Sequence, residues 1–134
     1  MKKFLIDLIP AFALVFLIAS CSKDDTNNTS TVQGTWTGTG QYGTSGGNPT
    51  YVFTLTFKAD GTVDIIGDNS VGADAATGTW AMVADSVRAT YKYTGSSAMY
   101  TLSGKYTSGT TVMNGTIGLS PVTTGIGIFS VTRQ

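Results

Sequence analysis

The run Tyr51-Val52-Phe53-Thr54-Leu55-Thr56-Phe57-Lys58 constrains this chain more than any other stretch. Tyr51, Phe53, Leu55 and Phe57 recur at every second position, while Thr54, Thr56 and Lys58 fall between them. That is the period of a pleated strand with one buried face; a helix would scatter the four apolar groups around its circumference. Ala59-Asp60-Gly61 then forms a tight hairpin, Gly61 supplying the positive φ such a turn needs, and Thr62 to Gly67 returns as a second strand.

The same grammar continues in both directions. Gln33 to Gln41 is a strand built around Trp36, and Thr77 to Ala84 carries Trp80 and Met82 on one face before Asp85-Ser86 turns the chain. Val87, Ala89, Tyr91 and Tyr93 alternate with Arg88, Thr90, Lys92 and Thr94. Ala98 to Tyr106, Thr110 to Leu119 and Ile126 to Thr132 complete the set. The 17 glycines, many threonines and few runs of helix formers argue against a helical bundle. About eight short antiparallel strands joined by hairpins predict an all-β fold, a small up-and-down β-barrel, with an OB-type barrel as the alternative. Closure would remove the sheet edges that a threonine-rich surface leaves open to aggregation. The inward set, Trp36, Phe53, Leu55, Phe57, Trp80, Met82, Tyr91, Tyr93, Tyr100, Leu102 and Phe129, is large enough to fill most of such a barrel.

The domain begins near Val32. Residues 1–20 are a leader: Met1-Lys2-Lys3 is positive, and Phe4 to Ile18 is apolar but interrupted by Asp7 and Pro10, too short and broken for a stable membrane span. Ile18-Ala19-Ser20-Cys21 resembles the lipobox of bacterial lipoproteins, which implies lipid attachment at Cys21 and cleavage before it. Ser22-Lys23-Asp24-Asp25 resembles the lipoprotein export signal of Bacteroidota, implying an outer-membrane location facing the cell exterior, with the periplasmic face as the alternative. Residues 21–31 then read as a lipidated flexible tether, and 32–134 as the barrel. Asp85-Ser86-Val87 is similar to an O-glycosylation site of the same bacteria.

Composition narrows the chemistry. The sequence holds no histidine and no glutamate, and Cys21 is its only cysteine, so disulfides, Cys/His zinc sites and Ser–His–Asp catalysis are excluded. After removal of the leader the chain keeps six basic and seven acidic side chains, which gives no reason to expect nucleic acid. Asp68, Asn69, Ser70 and Asp74 have no EF-hand spacing and no closing glutamate, so no metal is expected. Neither catalytic residues nor a cofactor are expected, and the chain is read as a monomer without enzymatic activity.

Gly34-Thr35-Trp36 resembles the Gly-x-Trp opening of lipocalins and their calycin relatives, where the tryptophan plugs the barrel base; Gly78-Thr79-Trp80 repeats it. The overall plan is also similar to the potempins, small barrel lipoproteins that inhibit their producer's secreted peptidases. That resemblance implies a peptidase as partner, beside the membrane reached through Cys21. The alternatives are a lipocalin-like carrier of a small hydrophobic ligand and a structural surface lipoprotein. Two connections exceed what hairpins require, Tyr42 to Thr50 and Gly67 to Ala76. They offer Gly43, Thr44, Ser45, Gly46, Gly47, Asn48, Asp68, Asn69 and Ser70 as candidate partner-binding residues.

Overall fold

The computed structural model describes residues 31–69 and 72–134. The proposed leader, Cys21, Ser22, Lys23, Asp24, Asp25 and Ser70 lie outside the described residues. Eight strands run in chain order: β1 Gly34–Tyr42, β2 Thr50–Phe57, β3 Thr62–Asn69, β4 Gly72–Val83, β5 Ser86–Tyr93, β6 Tyr100–Lys105, β7 Val112–Leu119 and β8 Gly125–Arg133. Each pairs antiparallel with its neighbour in sequence, and β8 pairs back onto β1, closing the barrel.

Alternation explains why the strands form. On β2, Phe53, Leu55 and Phe57 are buried while Thr54 and Thr56 face outward, with Thr37 Oγ1 and Thr54 Oγ1 3.3 Å apart across the β1–β2 pair. At the β2–β3 hairpin Gly61 has φ of 82°, and Asp60 Oδ1 accepts bonds from the Thr62 amide at 2.9 Å and the Thr62 hydroxyl at 2.6 Å. The hairpin thus forms as the sequence dictates.

Closure follows from stagger. Because strands tilt against the barrel axis, cross-strand partners climb it: Trp36 pairs with Leu55, Leu55 with Ile65, Ile65 with Ala76 and Ala76 with Tyr93. The rung that starts at the base on Trp36 therefore ends at the opposite mouth on Tyr93. Trp36 is fully buried, its indole Nε1 donating to the Val32 carbonyl at 2.8 Å. Arg133 at the end of β8 lies over the Trp36 ring at 5.7 Å and donates to the Thr31 and Gln33 carbonyls at 2.8 and 2.7 Å. Tyr106 meets the same indole edge-on at 6.0 Å. Base, entering chain and closing seam are thus tied together at one tryptophan. All strands find both partners within the described residues, and one core cluster links them, so the barrel closes and packs on these residues alone.

Two expectations need correction. The connection expected from Gly67 to Ala76 is mostly ladder: β3 runs on through Asn69 and β4 starts at Gly72, with Asn69 opposite Gly72. Asp68 and Asn69 are therefore strand residues, because the ladder continues through polar positions at the rim. Met82 is 43% exposed, since β4 overruns the base there and its inward phase no longer has an interior to face.

Candidate functional site

The core does not fill the barrel evenly. Trp36, Phe53, Leu55, Phe57, Val63, Ile65, Val87, Leu102 and Met113 pack the base and middle. Above them a cavity of about 420 Å³ remains at the mouth, lined by Tyr42, Tyr51, Gly67, Asp74, Tyr91, Tyr93 and Tyr100, with Thr94, Gly95, Ser96, Ile117, Ile126 and Gly127. Five of the six tyrosines in the sequence thus line one cup. Its volume is that of a small-molecule site.

The tyrosines arrive from four strands. Tyr42 ends β1 and Tyr51 opens β2; their rings lie 4.8 Å apart at 43°. Tyr91 and Tyr93 end β5 and Tyr100 opens β6: Tyr91 stacks on Tyr100 at 5.7 Å and 22°, while Tyr93 meets Tyr91 and Tyr100 edge-on at 5.6 and 5.5 Å. Gly67 on β3 separates the two groups, and a Cβ built there would stand 3.5 Å from both the Tyr51 ring and the Tyr93 hydroxyl. Gly40 has a similar service on β1. A Cβ there would come within 2.4 Å of Tyr51 Cζ, so only glycine leaves the floor over which that ring extends. Phe53 sits beneath Tyr51 at 5.7 Å, and Phe129 beside Phe53 at 5.7 Å, sealing the cup from below.

Burial raises the phenol pKa values of Tyr91 and Tyr51 well above their ordinary value, and the neighbouring phenols add to the effect. Tyr93 is pushed up to about 12, chiefly by burial. These rings stay protonated at physiological pH; Tyr51 and Tyr93 present an aromatic face or edge and a neutral hydroxyl, while Tyr91 is fully buried and backs Tyr93 and Tyr100. Asp74, exposed on β4 opposite Gly67, is the only charged side chain in the lining among the described residues. Among the described residues the ion pairs are Lys58–Asp64 at 2.7 Å and Lys105–Asp85 at 3.5 Å, and neither involves Asp74.

Of the residues expected to bind a partner, those of the β1–β2 loop stand beside the same opening. Gly43 to Pro49 bridges β1 and β2 beside the mouth: the Tyr42 amide donates to the Pro49 carbonyl at 3.0 Å, Gly43 to Ile126 at 2.7 Å, and Gln41 Nε2 to the Ser45 carbonyl at 2.6 Å. Thr44, Ser45, Gly46 and Gly47 are exposed on this fixed stem. The sequence treated Tyr91, Tyr93 and Tyr100 as barrel filling and Tyr51 as part of a buried face. Their convergence into an open cup is set by the closing register, which alternation within single strands does not reveal. No group of three or more histidine, cysteine, aspartate or glutamate side chains able to hold a metal occurs among the described residues.

Fold and cup together define a small closed barrel with an aromatic mouth, consistent with a lipocalin-like barrel. Comparison of the chain with protein-family models, curated proteins and solved structures finds no match.

Proposed function

We propose that this is a non-enzymatic, lipid-anchored surface protein that binds a small ligand in the tyrosine cup. The observation that carries this reading is the roughly 420 Å³ space bounded by five tyrosines above a sealed core. It favours the carrier over the expectation of a filled barrel: rings supply apolar area, hydroxyls supply hydrogen bonds, and the lining offers no nucleophile–base pair. Cys21 acylated and Ser22-Lys23-Asp24-Asp25 as the export signal would hold a monomeric barrel on the outer membrane, facing outward.

The test is native mass spectrometry of residues 22–134 exposed to a small-molecule extract of the producing cells. A one-to-one adduct is expected, and it should vanish in Gly67→Leu, whose side chain would fill the floor between Tyr51 and Tyr93. An adduct that survives this plug, or no adduct with the unmodified barrel, overturns the reading.

One observation favours a second reading, inhibition of a secreted peptidase. The Gly43 to Asn48 tip projects from a hydrogen-bonded stem, a form suited to entering a cleft on another protein. Titration of the barrel against peptidases secreted by the producer decides it: one-to-one inhibition supports it, and unchanged cleavage across the panel removes it.

A further inference from the structure

The carrier reading says that something small enters the cup; the lining says what charge it has. Aromatic faces carry a negative quadrupole that attracts cations, most strongly where water is excluded. Here five phenol rings from β1, β2, β5 and β6 surround one space, and among the described side chains that line it the only charge is the carboxylate of Asp74. The basic side chains among the described residues are Lys58, Arg88, Lys92, Lys105 and Arg133, and none lines the cup. Lys92, the nearest in sequence, lies between Tyr91 and Tyr93 on β5, so strand alternation turns it to the outer face, where it is exposed. A cation entering the cup would meet no repulsion from within it. An anion would face Asp74 and the electron-rich rings.

We propose that the cup recognises a small organic cation with an alkylated ammonium head, the rings of Tyr51, Tyr93 and Tyr100 enclosing the head, Tyr91 backing Tyr93 and Tyr100 from the core, and Asp74 balancing its charge at the rim. Alkylation matters because a bare ammonium loses strong hydration on entry, whereas methyl groups bury against ring faces as the charge is retained. This rests on the carrier reading and narrows it from apolar to cationic ligands.

The experiment compares choline with 3,3-dimethylbutan-1-ol, which has the same shape without the charge, by calorimetric titration of residues 22–134. Tyrosine ring resonances followed by nuclear magnetic resonance locate the site. Choline is expected to bind about tenfold or more tightly than the neutral alcohol, a difference within the range of cation–π recognition in a desolvated site. Asp74→Asn should weaken choline several-fold and leave the alcohol unchanged. Tyr93→Phe should keep the preference and Tyr93→Leu reduce it. Circular dichroism melts of each variant separate loss of binding from loss of fold. Equal or tighter binding of the alcohol overturns the cationic assignment and leaves an apolar carrier standing. Binding of neither, with unmoved tyrosine resonances, also overturns it, and the adduct experiment then judges the carrier reading separately.

Discussion

Gly40 and Tyr51 show how a residue without a side chain shapes a site. The Tyr51 ring extends over β1 where Gly40 leaves room, and a Cβ there would lie 2.4 and 2.5 Å from ring atoms Cζ and Cε2. Those atoms are at the free end of the side chain, so in Gly40→Ala the ring should swing while the backbone stays. The expected cost in stability is about 1 kcal/mol, near the low end for overpacking, with a larger loss of ligand affinity; a thermal melt beside a binding titration checks both. The phenols give a second residue-scale prediction. Tyr51, Tyr91 and Tyr93 have folded-state pKa values raised by burial above the unfolded value of 10.0. Each raised value makes the folded state hold its proton more tightly. The contribution is therefore fully present below about pH 10 and is lost as pH rises towards the folded values, for Tyr93 near 12. Melting temperature should fall above about pH 10. Phenolate absorbance should show part of the tyrosine complement silent until unfolding. Ionisation of Tyr51, Tyr91 and Tyr93 near the ordinary value, in a still-folded barrel, would contradict the burial assigned to them.

At the scale of elements, the structure explains which strands could be read in advance. β2 and β5 were legible because Phe53, Leu55 and Phe57, then Val87, Ala89 and Tyr91, bury on strict alternation. The β3–β4 hairpin was not. Asp68, Asn69, Gly72 and Asp74 are residues that turns favour, yet they continue a ladder from Val63–Gly78 up to Asn69–Gly72. A rim strand needs no apolar face, so its pattern resembles a loop. Leu119 shows the same effect from the apolar side: it pairs with Tyr100 on the rung above Leu102–Ile117 but is 48% exposed, because that rung has reached the mouth. The β1–β2 connection remains the longer loop that the sequence indicated. Replacing Gly43 to Asn48 by Asn-Gly should leave the melting temperature within a few degrees, since the Tyr42–Pro49 bond that closes the hairpin is kept and shortening a loop changes closure entropy by only about 1 kcal/mol. Any peptidase inhibition should disappear with the tip; inhibition that persists would place the protein contact elsewhere.

For the molecule as a whole, the two ends of the barrel have different work. The described chain enters at the base, where Arg133 donates to the Thr31 and Gln33 carbonyls beside Trp36, while the tyrosine cup opens at the far end. Strands of eight or nine residues such as β1 and β2, tilted as in other eight-stranded barrels, separate the ends by roughly 20 Å. A lipid anchor at Cys21 would therefore tether the closed end and leave the cup directed away from the membrane. This makes location testable through side chains at opposite poles. Ser97 lies in the β5–β6 connection at the mouth and Ser108 in the β6–β7 connection at the base, and both are exposed. Cys21 is the only natural cysteine, so if it is acylated as proposed, Ser97→Cys or Ser108→Cys supplies a single free thiol in the full-length chain. A membrane-impermeant maleimide applied to intact cells should label both positions, Ser97→Cys faster than Ser108→Cys, because the base lies closer to the membrane. Labelling of either only after the outer membrane is permeabilised would place the barrel on the periplasmic face. Equal rates at the two poles on intact cells would show that the tether lets the barrel tumble freely, and the anchored base would then set no direction for the cup.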